Sequence, residues 1–163
     1  MLYSNRKCLS LLPFICLLFL FSQTVSAQEW RPVTPQELAL KASVVEPNAD
    51  AEAIFWEVRV DDTGGTGDLI MKHYVRVKIF TERGREKYSK IDIPYWKGMK
   101  VKDIMARVIK PDGSTVELNK TDIFDREIVK AGDAKVKAKS FAVPNIEPGV
   151  IVEYRYQETH QYA

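Results

Sequence analysis

KVKAKSFAVPNIEPGVIVEYRYQE, residues 135–158, predicts two β-strands joined by a proline-rich turn. In the first strand Lys135, Lys137 and Lys139 alternate with small apolar residues, and in the second, valines and tyrosines alternate with other residues. Alternation with a period of two is typical of a strand that buries one of its faces. We therefore expect the lysine face to be solvated, with the lysines discouraging pairing at a sheet edge.

The same alternation recurs upstream. Ile54, Trp56, Val58 and Val60 predict the apolar face of one strand, and residues 74–79 predict the next strand after the glycine-rich turn DDTGGTGD. Residues 103–118, DIMARVIKPDGSTVEL, contain the clearest hairpin, because Pro-Asp-Gly favours a tight turn. Weaker strands are predicted at 87–93, after the polar turn TERGRE, and at 121–129. The whole pattern, seven or eight short strands, predicts a mainly β fold, either an antiparallel β-sandwich or an open barrel.

One short N-terminal helix is predicted ahead of the strands. Thr34 is a candidate N-cap, Pro35 suits the first helical position, and Glu37 completes a Thr-x-x-Glu capping box. We expect residues 28–52 to form this helix and a linker, and residues 53–163 to form the β-rich domain.

Residues 1–27 have the pattern of a secretory signal peptide. Arg6 and Lys7 precede an apolar run at 9–21, and small residues lead up to Ala27. The run is shorter than the ~20 residues that a membrane-spanning helix needs. We predict cleavage after Ala27 and export to the periplasm or the extracellular space, with no membrane span afterwards; retention of the segment as an anchor is the alternative.

Cleavage would also remove charge and both cysteines. Without Arg6 and Lys7 the 24 basic residues become 22, which equals the 22 acidic residues. A chain with no net charge is not expected to bind nucleic acid. Because Cys8 and Cys16 lie in the signal segment, the exported chain would have no disulfide and no thiolate nucleophile.

No catalytic, cofactor-binding or metal-binding residue is predicted. His73 and His160 are the only histidines, and a structural or solvent-exposed position is expected for each. A serine-hydrolase elbow of the form Gly-x-Ser-x-Gly does not occur. Asp61, Asp62 and Asp68 surround glycines but lack the spacing of a calcium loop, so a solvated turn is favoured over a calcium site.

Carboxylates in or beside strands leave one catalytic alternative open. Asp92, Asp103 and Glu153 could form a pair for hydrolysis only if the fold brings two of them together. We expect all three to be exposed strand carboxylates.

Tyr95 and Trp96 are the candidate surface-binding residues. They follow a proline and precede a glycine, which predicts a loop-borne aromatic pair. Trp56, Tyr154 and Tyr156 are instead expected in the core, since each shares a face with valines.

Several strings together resemble a known family. They are TPQELAL followed by DAEA, IFTERGREKYSKIDIPY, ARVIKPDGSTVEL and IFDREIVKAGDAKVKAKSFAVPNIEPGVIVEYRY, spanning about 33–157. The family is a domain of unknown function in secreted bacterial proteins, usually N-terminal to a transglutaminase-like domain. The resemblance implies an antiparallel β-rich domain that is not an enzyme. The Cys-His-Asp set of such proteins belongs to the downstream domain and has no counterpart here.

The resemblance also implies more β structure after the last strand. We therefore expect the domain to be truncated at its C-terminus, with 150–157 left as an unpaired edge. The expected function is a noncatalytic accessory or interaction domain whose partner is a transglutaminase-like or peptidase domain, in cis if the chain is a fragment. The alternatives are a carbohydrate- or peptidoglycan-binding module that uses Tyr95 and Trp96, and a stand-alone carboxylate-based hydrolase.

Overall fold

The computed structural model describes residues 30–62, 67–131 and 134–161, and residues Val33–Ala163 form one compact unit. The predicted signal peptide, residues 1–27, lies outside the described residues. No helix in the described part of the chain is long and apolar enough to cross a membrane.

The described residues are mainly β, as predicted. There are two short α-helices, α1 (Pro35–Ala39) and α2 (Glu82–Tyr88), and a 3-10 turn at Lys120–Asp122. The strands are β1 (Ala51–Asp61), β2 (Asp68–Ile79), β3 (Lys90–Tyr95), β4 (Met99–Ile109), β5 (Thr115–Glu117), β6 (Phe124–Ala131), β7 (Ala134–Ala142) and β8 (Ile151–Gln161).

The strands form two antiparallel sheets. One sheet has five strands in the order β1-β2-β8-β4-β5, and the other has three in the order β3-β7-β6. The predicted hairpin at 103–118 is confirmed, since β4 and β5 pair and Gly113 in the turn has a φ of +83°. Side chains of both sheets pack into one hydrophobic core, so the fold is a β-sandwich.

Two predictions about sheet edges are wrong. The strand expected as an unpaired edge, β8, lies inside the five-stranded sheet between β2 and β4. The lysine-bearing strand β7 is the middle strand of the other sheet, so its lysines do not protect an edge. The strands that cover these edges, β2 and β4 beside β8 and β3 beside β7, are distant in sequence, and local alternation carries no information about them.

The core lies between the sheets, and only some of the residues predicted to be buried belong to it. Tyr154 and Tyr156 pack against the core as predicted. Trp56 does not, because 66% of its surface is exposed. It lies on β1, the edge strand of the five-stranded sheet, and the opposing sheet has only three strands. The buried core consists of Val75, Val77, Ile79, Ile91, Ile93, Met99, Val101, Ile104, Ala106, Val108, Phe141, Val143, Val150 and Val152.

Helix α1 has the predicted capping box. The Thr34 hydroxyl accepts a hydrogen bond from the Glu37 amide at 3.2 Å, and the Glu37 carboxylate accepts one from the Thr34 amide at 2.6 Å. The predicted polar turn TERGRE is wrong, because it is the start of α2. Thr81 caps this helix, and a Cβ on Gly84 would lie 2.2 Å from the Asp50 carbonyl oxygen. Glycine is thus needed for close approach, although it normally disfavours helices.

A buried ionic cluster lies on the face of the five-stranded sheet that points away from the core. Glu153, predicted to be exposed, is fully buried. Its carboxylate accepts hydrogen bonds from Arg76 Nε and Arg107 Nε, each at 2.6 Å, and from the Tyr74 hydroxyl at 2.7 Å. Arg76 also donates to Glu37 of α1 at 2.9 Å. The cluster therefore joins three adjacent strands and the helix.

The carboxylates of Glu37 and Glu153 compensate for the energetic cost of burying the charge of Arg76. Burial alone would lower the pKa of Arg76, but the hydrogen bond to Glu37 and the charge of Glu153 outweigh it and raise that pKa. The guanidinium also lies 5.0 Å from the centre of the Phe55 ring. Arg76 thus remains charged in the folded protein.

We expect Glu153→Ala to destabilise the fold by about 3–5 kcal/mol, because it leaves two arginines without their shared carboxylate. Urea unfolding followed by circular dichroism measures the change. Glu127→Ala, at an exposed position on β6, is the matched control and should stay within about 0.5 kcal/mol of the unmodified protein. Equal midpoints for the two variants would contradict a structural role for the cluster.

Candidate functional site

The two predicted surface-binding residues lie beside part of the lysine strand. Tyr95 is the last residue of β3 and Trp96 follows it, and the β3–β7 register places Tyr95 opposite Lys137. Tyr95, Trp96, Lys97, Lys135 and Lys137 line a cavity of about 340 Å³, here named the aromatic–lysine pocket. The fold thus joins two features that are about 40 residues apart in the sequence.

Tyr95 is held in place by a hydrogen bond and an ion pair. Its hydroxyl donates to Asp125 Oδ1 at 2.7 Å, and the Lys139 ammonium lies 2.8 Å from Asp125 Oδ2. Burial, together with the hydrogen bond and charge of Asp125, raises the pKa of Tyr95 to about 12. The hydrogen bonds from Lys139 and Tyr95 lower the pKa of Asp125. Tyr95 therefore contributes a fixed, neutral ring to the pocket near neutral pH.

Trp96 contributes an exposed ring. About half of its surface, 51%, is exposed, and one edge of the ring contacts His160 with 6.3 Å between ring centres. Its carbonyl accepts a hydrogen bond from the Met99 amide at 3.0 Å, and the Gly98 carbonyl accepts one from Gln161 at 2.8 Å. These backbone bonds fix the loop, so the indole is presented without being buried.

The lysines make the pocket basic. Lys135 and Lys137 are exposed, in agreement with the expected solvated face, whereas Lys139 pairs with Asp125. Among the described residues no carboxylate oxygen lies within 4.0 Å of the ammonium groups of Lys97, Lys135 or Lys137. Rings and unpaired ammonium groups together suit a ligand with a flat apolar part and a negative charge.

The histidines lie near this pocket but do not form a metal site. His73 is buried and stacks on Tyr156, with 4.4 Å between ring centres. Nε2 of His73 is 3.5 Å from Glu158, and Nε2 of His160 is 3.2 Å from the same carboxylate. Within the described ranges no group of three or more His, Cys, Asp or Glu side chains could hold a metal ion.

The remaining candidate carboxylates are separated by the fold. Asp92 lies in the three-stranded sheet and accepts a hydrogen bond from Arg126 Nε at 3.0 Å, which together with further contacts lowers its pKa. Asp103 is exposed on β4 with a φ of +54°, and Glu153 belongs to the buried cluster. Asp61 ends β1 and Asp68 begins β2, with residues 63–66 of that turn outside the described part.

We expect Asp125→Asn to lower the pKa of Tyr95 from about 12 toward the ordinary tyrosine value of about 10, because the neighbouring negative charge is lost. Carbon-13 NMR of labelled tyrosine rings, titrated from neutral to alkaline pH, measures this midpoint. Asp122→Asn, in the exposed 3-10 turn, is the control and should leave it unchanged. An unaltered Tyr95 midpoint in Asp125→Asn would show that Asp125 does not act on the phenol.

A solved structure has a similar fold. It is the crystal structure of a "putative protease" from Parabacteroides distasonis ATCC 8503, with a TM-score of 0.59 and 16% sequence identity. The similarity covers 70% of this chain and 24% of that chain, so this fold spans about a quarter of the Parabacteroides protein. No curated protein matches the sequence.

The sequence itself matches a described family. Residues 66–162 match the domain of unknown function with solved structure that is named DUF3857. This range includes β2 to β8, and therefore the aromatic–lysine pocket and Glu153. The expected resemblance to a domain of unknown function is thereby confirmed, and because the match covers more than half of the chain, the protein belongs to the DUF3857 family.

Proposed function

We propose that this protein is an exported, noncatalytic interaction domain that accompanies a transglutaminase-like or peptidase catalytic domain. The signal-like pattern of residues 1–27 supports export. The Parabacteroides protein supports the association, because the shared fold occupies only 24% of a chain described as a protease candidate. The proposal requires a surface on which a catalytic domain can pack.

The observation that carries the proposal is an exposed apolar row on β1. Trp56, Val58 and Val60 point to one face of the sheet and are 66%, 41% and 59% exposed. The β1–β2 register pairs Trp56 with the core residue Val75, so the row continues the core face beyond the three-stranded sheet. Exposed apolar surface of this kind marks interaction sites, and a buried tryptophan is a frequent energetic centre of an interface.

The noncatalytic part of the proposal is supported by the engagement of the candidate carboxylates. Asp92 is bound to Arg126, and Glu153 to Arg76 and Arg107. The hydrogen bond from Arg126 lowers the pKa of Asp92, so Asp92 is poorly suited to donate a proton as a general acid near neutral pH, and Glu153 is fully buried beneath its arginine partners.

We expect Trp56→Ser to weaken binding to the catalytic domain by roughly 10–100-fold, the range for a tryptophan at the centre of an interface. The partner is the transglutaminase-like or peptidase polypeptide encoded in the same reading frame or beside it, purified separately and titrated by calorimetry. Trp96→Ser removes an exposed indole elsewhere and should leave this affinity unchanged. Absence of binding by the unmodified protein, or equal affinities for the two variants, would refute the β1 row as the contact.

A second candidate function is carbohydrate or peptidoglycan binding at the aromatic–lysine pocket. The half-exposed ring of Trp96 offers a flat surface to the apolar face of a sugar, and Tyr95 lies beside it. The pocket volume of about 340 Å³ is at the low end of the usual range for ligand sites, which suits one ring. Lys97, Lys135 and Lys137 would favour sugars that carry carboxylates.

On a glycan array that includes peptidoglycan fragments, we expect selective binding of acidic sugars, with Trp96→Ser reducing the signal at least about tenfold because the stacking surface is lost. Trp56→Ser is now the control and should bind as the unmodified protein does. The two tryptophan variants thus exchange roles between the two experiments. Signal on no glycan, or signal that persists in Trp96→Ser, would exclude this function for the pocket.

A further inference from the structure

A second cavity lies on the other side of the five-stranded sheet, next to α1. Its volume is about 460 Å³, and its lining includes Leu38, Ala39, Lys41, Lys78 and Pro111. Apart from the two lysines, the lining side chains are apolar, and none is acidic. We name it the Lys78 cavity.

Lys78 is a buried cation whose ammonium donates one hydrogen bond within the described part of the chain. Only 1% of its surface is exposed, and its ammonium donates to the Leu38 carbonyl of α1 at 2.8 Å. An ammonium group has three donors. Among the residues that the structure describes, no second acceptor and no carboxylate within 4.0 Å is found for it. Burial lowers the pKa of Lys78, and no neighbouring charge offsets this effect.

The surrounding charges do not supply the missing counter-ion. Glu37 and Glu153 are bound by Arg76, and Glu153 also by Arg107. Glu52 lies opposite Lys78 in the β1–β2 register, but its carboxylate accepts hydrogen bonds from the Ser43 hydroxyl and the Val44 amide. Lys78 is therefore a buried cation without a counter-ion among the described residues, and such a charge is costly.

We propose that the Lys78 cavity binds an aliphatic monocarboxylate, whose negative charge provides the counter-ion for Lys78. The apolar lining formed by Leu38, Ala39 and Pro111 would contact the hydrocarbon part, and the exposed Lys41 would attract the anion to the cavity. The volume is within the usual range for small-molecule sites, roughly 300–1,000 Å³. A free short-chain acid and the C-terminal carboxylate of a peptide that ends in an apolar residue offer the same chemistry.

The experiment compares hexanoate with its neutral counterpart hexanamide, using calorimetry and nitrogen-15 NMR of the full chain. We expect saturable binding of hexanoate, at least about tenfold tighter than that of hexanamide, because only the acid forms a charge-assisted hydrogen bond. Acetyl-Ala-Leu with a free carboxylate, set against its C-terminal amide, tests the peptide source. Tighter binding of the carboxylate than of its amide, in either pair, supports the proposal. The pair that shows it identifies the ligand as a free short-chain acid or as a peptide C-terminus.

Lys78→Met keeps the length of the side chain but removes its charge, so we expect hexanoate affinity to fall at least about tenfold. Lys72→Met, at an exposed position on the same strand, is the matched control and should bind normally. Ala39→Trp is an independent variant that partly fills the cavity from an exposed helix position and leaves Lys78 intact. Ala39→Trp should also lose hexanoate binding. If Lys78→Met does not fold, Ala39→Trp alone tests whether hexanoate binds in the Lys78 cavity.

Three results would overturn the proposal. The first is equal affinity for the charged and neutral members of both pairs, and the second is no binding of either acid to the folded protein. The third is undiminished hexanoate binding by Ala39→Trp or by folded Lys78→Met.

Discussion

The buried carboxylate of Glu153 is the constraint on which the five-stranded sheet depends. It lies on the central strand β8, and the register places it beside Arg76 of β2 and Arg107 of β4. A buried carboxylate that loses its partners is costly by several kcal/mol, roughly 3–5. Sliding either neighbouring strand by one residue would turn the arginine to the opposite face. The ionic cluster therefore selects one register on both sides of β8, and Arg76 carries the constraint to α1 through Glu37.

The unequal widths of the sheets determine which apolar surface is exposed. The core-facing side of the five-stranded sheet is covered where the three-stranded sheet packs on it, and Val75 and Val152 are buried there. On the edge strand β1 the same face is exposed and bears Trp56 and Val58. The exposed row is thus an uncovered continuation of the core, and a partner that packs on it would complete the sandwich. This geometry is the physical basis of the proposed interaction function.

Both cavities are locally basic, but only the Lys78 cavity is lined by a buried lysine. Residues 28–163 contain equal numbers of acidic and basic residues, yet basic side chains without a carboxylate partner among the described residues line both cavities. In the aromatic–lysine pocket the lysines are exposed, and water screens their charge. In the Lys78 cavity the ammonium is buried, where a charge interacts more strongly with a counter-ion. In the functions proposed for them, ligand affinity at the aromatic–lysine pocket would therefore come mainly from the rings, and ligand affinity at the Lys78 cavity mainly from the charge.

The sequence by itself determined most of the strands, the capping box of α1 and the family, but it missed α2. These features depend on neighbouring residues, through alternation at a period of two and through turn chemistry. It did not reveal that Glu153 is buried or that Trp56 is exposed, because alternation separates two faces of a strand without showing what covers each face. The tertiary structure alone placed Tyr95 beside Lys137 and β8 between β2 and β4, since strand pairing joins segments that are far apart in the chain. Burial and cavity lining are properties of those long-range pairings. The sequence therefore predicted Tyr95 and Trp96 as candidate binding residues, whereas the lysines beside them and the whole Lys78 cavity became visible only in the folded protein.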